Sequence, residues 1–257
     1  MTILDDIIAT KYEEVKMYKP VGPNTIDFPE KTTLLGHLQE RNGVISEIKR
    51  ASPSKGDIKV EVDIVAQAKK YEEAGAAAIS VLTDEVYFKG SIDDLCEVAK
   101  VVSIPVLCKD FMVSEIQIDR AQHAGATIIL LIVAALEKQQ LKRLNDYALS
   151  KGLEVLIEVH DEQELQIALE LDAKLIGINN RNLKTFEVSI ERTAQLAKNF
   201  PFDEGRVLIS ESGMQTKEDA QFAYANGASG ILVGEALMRS ENPGNWIRQA
   251  TSEEAVK

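Results

Sequence analysis

Eight short apolar runs, each followed by a helical pattern, predict an α/β protein closed into a (β/α)8 TIM barrel with an extra N-terminal helical segment. The runs begin near Val44, Ala78, Pro105, Ile128, Glu154, Leu175, Arg206 and Gly230, and each interval holds one strand, one helix and two short loops. Two further observations favour the closed barrel over a doubly wound open sheet, the main alternative. No G-x-G-x-x-G motif follows the first strand, and charged residues gather at the C-terminal ends of several strands, where a barrel places its site. Three helix-to-strand turns also repeat one pattern: Glu73-Ala-Gly-Ala76, His123-Ala-Gly-Ala126 and Ala225-Asn-Gly-Ala228. In each, the glycine is placed to end a helix in the left-handed conformation.

The length of 257 residues suits one large α/β domain or two small ones, and the eight-unit repeat favours one: a helical extension over 1–43, the barrel core over 44–240, and a C-terminal helix or tail over 241–257. The net charge of −12 gives no general attraction to nucleic acid or to an anionic membrane, so an anionic ligand must be held by a local cluster of donors. No apolar run approaches the roughly 18–20 residues that span a bilayer, and the start Met1-Thr-Ile-Leu-Asp-Asp6 lacks the basic opening of a signal peptide. Cys96 and Cys108 form neither a C-x-x-C pair nor a disulfide framework, which fits a reducing cytoplasm. His37, His123 and His160 are scattered without metal-ligand spacing, so no metal is expected.

In chain order, residues 3–17 read as a helix. Ile3, Leu4, Ile7, Ile8 and Val15 recur at helical spacing, and Thr2 with Asp5 resembles a capping box. This helix is expected to cap one end of the barrel or to lie beside its mouth. The prolines at 20, 23 and 29 break regular structure, and a short helix follows near Leu34–Gln39. The first strand, Val44–Lys49, puts Ile45, Glu47 and Lys49 on one face and Val44, Ser46 and Ile48 on the other. A turn-rich loop, Ser52-Pro-Ser-Lys-Gly56, comes next.

The strand ends carry the chemistry. Strand one ends in Glu47 and Lys49, strand three in Lys109, and strand five carries Glu158. Strand six ends in Asn179 with Arg181 two residues on, strand seven in Glu211, Ser212 and Gly213, and strand eight in Gly234. If each terminal charge points inward, two ammoniums and three carboxylates share one small volume, where opposite charges shift pKa values and can provide both a proton donor and a proton acceptor. Gly213, and Gly234 followed by Glu235, come after the last two strands, where a barrel commonly binds phosphate through backbone N–H groups. Ser52 and Lys55 could add donors from the opposite side. Pro53, Phe88, Phe111, Leu130 and Leu183 are apolar and near the mouth, suited to a planar ring. Taken one at a time, each of these charges reads more readily as a solvated strand end, and each apolar residue equally as one packed under a helix.

Glu47-Ile-Lys-Arg-Ala-Ser-Pro-Ser-Lys-Gly56 resembles the signature of the indole-3-glycerol phosphate synthases, enzymes of tryptophan biosynthesis. Val106-Leu-Cys-Lys-Asp-Phe111, Glu158-Val-His160, Gly177-Ile-Asn-Asn-Arg-Asn-Leu183, Ser210-Glu-Ser-Gly213 and Val233-Gly-Glu235 look like the remaining motifs of that family, in the same order. The resemblance covers nearly the whole chain. It implies a (β/α)8 barrel with an extra N-terminal segment and a carboxy-lyase acting on 1-(2-carboxyphenylamino)-1-deoxyribulose 5-phosphate. Such an enzyme closes an indole ring with loss of CO2 and water, and needs no cofactor and no metal. Carried onto this chain, Lys109 would be the general acid of ring closure, Glu158 would assist later proton transfers, and Glu47 and Lys49 would take part in dehydration. Asn179, Glu211 and Ser212 would hold hydroxyls and the charge network, and Arg181 would pair with an anionic group. Gly213, Gly234 and the amide of Glu235 would cradle the phosphate. Pro53, Phe88, Phe111, Leu130 and Leu183 would line the ring pocket, with Ser52, Lys55 and Leu232 completing substrate binding. Ala236 departs from the family pattern, standing where many relatives have serine. The expected form is a cytoplasmic monomer without a fused partner domain, acting on a small phosphorylated substrate, with neither nucleic acid nor membrane as partner. Spacing leaves open which of Lys49 and Lys109 acts in which step. It also leaves room for a Schiff-base aldolase, which likewise carries an inward lysine, and for a non-catalytic sugar-phosphate binder.

Overall fold

The computed structural model describes residues 2–183 and 185–252; Met1 of the N-terminal extension and residues 253–257 of the expected tail lie outside the described residues. The strands are β1 (Gly43–Ile48), β2 (Ala51–Ser52), β3 (Gly56–Asp57), β4 (Ala78–Leu82), β5 (Val106–Lys109), β6 (Ile128–Ile132), β7 (Glu154–Val159), β8 (Leu175–Asn179), β9 (Val207–Glu211) and β10 (Gly230–Val233). All except the β2–β3 hairpin close into a parallel barrel in the order β1-β10-β9-β8-β7-β6-β5-β4. The helices are α1 (Ile3–Met17), α2 (Leu34–Glu40), α3 (Ile64–Glu73), α4 (Glu85–Phe88), α5 (Ile92–Ala99), α6 (Glu115–His123), α7 (Lys138–Ser150), α8 (Glu162–Glu170), α9 (Glu191–Ala197), α10 (Lys217–Ala225), α11 (Glu235–Arg239) and α12 (Pro243–Thr251). The expected strand starts at Pro105 and Arg206 move one residue on, and the others stand or shift by a single position.

Period-two alternation decides what faces where. Ile45, Leu107, Ile128, Leu130, Leu156, Ile209 and Leu232 fill the barrel interior. Val44, Ile48, Ile79, Val81, Cys108 and Ile129 face outward and pack with the helices. The repeated glycines Gly75, Gly125 and Gly227 adopt φ of 91°, 90° and 95°, the left-handed geometry that ends a helix before the next strand.

The N-terminal extension serves both ends of the barrel. α1, capped by Thr2 and Asp5 as the sequence suggested, lies beside the mouth. Its Lys11 is 1% exposed and pairs with Asp84 at 2.8 Å, Glu14 at 2.9 Å and Asp110 at 3.0 Å. The extended segment that follows is tied to the barrel wall by its side chains: Asn24 Nδ2 donates to His123 O at 3.1 Å, and Lys31 Nζ donates to Ala99 O at 2.8 Å and Val102 O at 2.7 Å. α2 then closes the floor, sending Leu34 and Leu38 into the interior cluster. Its first N–H groups, those of Leu34 and Leu35, donate to the Glu154 carboxylate at 2.8 Å each, so the first residue of β7 caps the helix. Glycine at 43 makes room for this plug, because a Cβ there would lie 2.8 Å from Leu38. No described helix is long and apolar enough to cross a membrane.

Candidate active site

The mouth is built from two ammoniums, Lys49 beside one carboxylate and Lys109 beside two. Glu47 is 2% exposed on β1. Lys49, just beyond that strand, turns its Nζ back to Glu47 Oε1 at 2.5 Å. Ser80 stands opposite Glu47 in the β1–β4 register, and its hydroxyl donates to Oε2 at 3.4 Å. A Cβ on Gly234 would come within 2.6 Å of Glu47 Oε1, so glycine at this position leaves space for the carboxylate as well as access to the backbone. Across the barrel, Lys109 Nζ lies 3.3 Å from Glu158 Oε2 and 3.4 Å from Glu211 Oε2. Asn179 Nδ2 donates to Glu158 Oε1 at 2.9 Å. Gly177 performs for Glu211 what Gly234 performs for Glu47: a Cβ there would meet Glu211 Oε1 at 2.0 Å.

Burial works against the charges of Lys109, Glu158 and Glu211, and the neighbours decide the outcome. For Lys109, burial favours the neutral amine, but Glu211, Glu158 and Glu47 together outweigh it and hold the ammonium well above the usual lysine range. For Glu158, burial opposes ionisation, yet Lys109, then His160 and Asn179, bring it well below the usual carboxylate range. Glu211 goes the other way. Burial dominates, Glu158 and Glu47 add repulsion, Lys109 offsets only part, and the carboxyl is pushed up to about 7. One ammonium shared by two carboxylates thus leaves one of them ionised and the other titrating near neutrality, the separation that acid–base sites use.

The cavity above these groups has two connected lobes of about 130 Å3 each. Ser52, Pro53, Lys55, Gly213, Leu232, Gly234 and Glu235 line the first. Lys109, Phe111, Leu130, Glu158, Asn179 and Leu183 line the second. Glu47, Lys49, Phe88, Arg181 and Ser212 border both and so mark the junction. The Phe88 and Phe111 rings stand 6.0 Å apart at 35°. A larger groove of about 870 Å3 runs past α2, α3 and α12 at the opposite end, away from the charged cluster.

Two expectations change in detail. Glu211 lines neither lobe; it is buried behind Lys109 and reaches the cavity only through that ammonium. The segment Ser52–Gly56, expected as a turn-rich loop, is the turn of the hairpin β2–β3, with Ser52 paired to Gly56 and the turn closed by Lys55 N donating to Ser52 O at 3.2 Å. From that turn Lys55 Nζ points across the first lobe to Glu235 Oε1 at 3.9 Å. After β9 the chain bends through two left-handed residues, Ser212 at φ 64° and Gly213 at φ 90°. Asn180 secures the bend, donating from Nδ2 to Ser212 O at 3.1 Å and Ser210 Oγ at 2.9 Å while its Oδ1 accepts from Thr193 Oγ1 at 2.9 Å.

Asn180, Ser80, Lys11 and His160 are the residues of this mouth that sequence reading missed. Lys11 left a signal, continuing the buried stripe of Leu4 and Ile7 where an apolar residue belongs. His160 shares the face of Glu158 two residues on and precedes Glu164 by four, a carboxylate–imidazole–carboxylate spacing visible in the sequence. Asn180 and Ser80 left none, because one faces away from the interior and the other meets Glu47 only through strand register. Among the described residues, no group of three or more His, Cys, Asp or Glu side chains could hold a metal ion.

The family model for indole-3-glycerol phosphate synthase matches residues 5–250. An indole-3-glycerol phosphate synthase from Exiguobacterium sibiricum is 54% identical over 252 residues, spanning 96% of this chain and 96% of the relative. Another from Bacillus cereus is 54% identical over 242 residues, 94% of each. Among solved structures, thiamine phosphate pyrophosphorylase from Pyrococcus furiosus aligns with a TM-score of 0.62 at 15% identity, over 86% of this chain and 100% of that chain, a likeness of fold alone. The match takes in all eight barrel strands and nearly all of the N-terminal extension, and the chain belongs to the indole-3-glycerol phosphate synthase family.

Proposed function

We propose that this mouth converts 1-(2-carboxyphenylamino)-1-deoxyribulose 5-phosphate to indole-3-glycerol phosphate, CO2 and water, the indole-forming reaction of tryptophan biosynthesis. The observation that carries the reading is the Lys109 ammonium, kept charged by Glu158 and Glu211 on the floor of a lobe that also presents Phe88 and Phe111. The aromatic ring of the substrate occupies that lobe. Its phosphate lies in the other, against the backbone at Gly213, Gly234 and Glu235, with Ser52 and Lys55 above. Arg181 and Lys49, at the junction, face the substrate carboxylate and hydroxyls.

In ring closure, the ring carbon bearing the carboxylate bonds to the ketone carbon, and the ketone oxygen takes a proton from Lys109. An alkoxide is a stronger base than an amine, so a lysine held charged still delivers its proton to it, and does so as the negative charge develops. Breaking the C–CO2 bond returns its electron pair to the ring and restores aromaticity. In dehydration, the new hydroxyl leaves as water with a proton from an ammonium, and a carboxylate accepts the proton from the methylene carbon beside the ring nitrogen. Lys49 and Glu47, already paired with each other, take those two roles, and Glu158 assists in proton return. Asn179 and Ser212 hold the hydroxyls.

Lys109 does not suit the aldolase alternative, since a Schiff-base lysine must be neutral to attack and its carboxylates keep this one protonated. Borohydride with a keto sugar phosphate is expected to leave Lys109 unmodified. The deciding measurement is product fluorescence: indole emission rises when the anthranilate-linked ribulose phosphate is added, and its absence at saturating substrate would sink the reading. The protein is proposed to work as a cytoplasmic monomer, checked by sedimentation at a single-chain mass and by fractionation.

A further inference from the structure

His160 lies beside the catalytic cluster, outside the residues lining either lobe, and both of its ring nitrogens face a carboxylate. Nε2 is 3.3 Å from Glu158 Oε1, an ion-pair contact whose direction is poor for a hydrogen bond. Nδ1 is 3.0 Å from Glu164 Oε2, and the same oxygen accepts the His160 backbone N–H at 2.8 Å. Glu164 is the third residue of α8, whose N-cap is Asp161. In an ordinary capping box such a glutamate reaches back to the N-cap N–H; here it reaches one residue further and secures the imidazole. Ionised carboxylates only accept, so a ring placed between two of them satisfies both by carrying a proton on each nitrogen.

We propose that His160 is a positioning residue for the reaction: a permanent imidazolium, oriented by Glu164, that keeps Glu158 ionised and thereby helps Lys109 retain the proton it donates. The inference rests on the synthase reading above. The charged groups facing the ring are Glu158 from β7 and Glu164 from α8, with Lys109 of β5 beyond Glu158 and Glu211 of β9 beyond Lys109. Asn179 of β8 adds a neutral donor to the same Glu158 oxygen. Burial alone would favour the neutral ring, but Glu158 and Glu164 outweigh it and push the imidazole up to about 10. A buried histidine kept for packing alone would need no more than one carboxylate beside it, whereas this ring has one within 3.3 Å of each nitrogen.

The test reads the ring directly. The chain has 3 histidines, so long-range 1H–15N spectra of histidine-labelled protein resolve each ring, and the signal lost in His160→Gln assigns this one. Both His160 nitrogens are expected to be protonated at pH 8; a neutral tautomer there would overturn the proposal. In turnover, His160→Gln is expected to lower kcat about tenfold or more with KM changed less than twofold, and to move the acid limb of the kcat–pH profile upward by about one pH unit as Glu158 becomes easier to protonate. His160→Lys, which keeps a cation, brings the limb back. A wild-type profile in folded His160→Gln would also overturn it. Because ring protonation is read in the unmodified protein without substrate, failure of this inference and failure of the synthase reading are separate results.

Discussion

Removing the Lys109 ammonium leaves Glu158 and Glu211 without the counter-charge they share. Lys109→Met is therefore expected to lower kcat by about a hundredfold or more with a smaller change in KM, as befits a donor whose contact strengthens in the transition state. Steady-state kinetics on the fluorescent product decide it; a loss confined to KM would assign Lys109 to binding. Glu211 makes a different prediction. Its folded pKa, about 7, lies above the ordinary value of 4.5, so between those pH values the native state binds a proton that the unfolded chain has released. Its contribution is most favourable below pH 4.5 and is lost as pH rises through about 7. Glu211→Gln should flatten that part of the stability–pH curve, measured by urea unfolding; a curve parallel to wild type counts against the elevated carboxyl. At Gly177 the steric argument is direct. A methyl group 2.0 Å from Glu211 Oε1 must displace that carboxylate, and Gly177→Ala is expected to disturb both stability and kcat.

At the scale of elements, α1 is stapled to the mouth by charge. Asp84, paired with Lys11, also accepts Tyr87 N at 2.6 Å as the cap of α4, which carries Phe88, and Asp110, its other partner, directly follows Lys109. One buried ammonium thus couples the extension to two loops that shape the ring lobe. Lys11→Met leaves the buried Asp84 and the half-buried Asp110 without their cation and is expected to cost about 3–5 kcal/mol, the range for breaking a buried pair from one side; denaturant unfolding measures it. The floor is held more modestly. Glu154→Gln keeps an acceptor for the α2 N–H groups but removes the charge, and about 1 kcal/mol is expected. The hairpin β2–β3 shows why turn residues mislead when read alone: Ser-Pro-Ser-Lys-Gly signals a turn, but not that its flanks pair.

For the whole molecule, net charge and site charge have opposite signs. The chain carries −12, yet Lys49, Lys55 and Arg181 converge on the cavity, so anion binding is local and made by the fold. Inorganic phosphate is expected to inhibit competitively, more weakly as ionic strength rises, and Lys55→Ala should raise its inhibition constant several-fold. Non-competitive inhibition would place phosphate outside the first lobe. The barrel itself was legible because its two periodicities are strong: apolar runs at strand spacing, and glycines such as Gly75, Gly125 and Gly227 ending the helices between them. The mouth was legible for a related reason. In a parallel barrel all strands end on one side, so charges at strand ends become neighbours whatever their distance in sequence.

The order of residues along the chain was enough to set the eight-unit barrel, its inward parity, and the charges, glycines and aromatics that converge at one end. Local backbone preference and period-two alternation are enough for that, since they act along the chain. How those charges are shared followed only from the closed barrel. Strand register brought Ser80 to Glu47 and set Lys109 between Glu158 and Glu211, and the neighbours then separated two equally buried carboxylates: His160 and Asn179 join Lys109 in keeping Glu158 ionised, while repulsion from Glu158 and Glu47 leaves Glu211 titrating near neutrality. The same holds for Lys11 and His160, whose partners come from separate elements or from a helix cap reaching back one residue too far. Desolvation and Coulomb energy depend on distances in space, and those exist only once the barrel has closed.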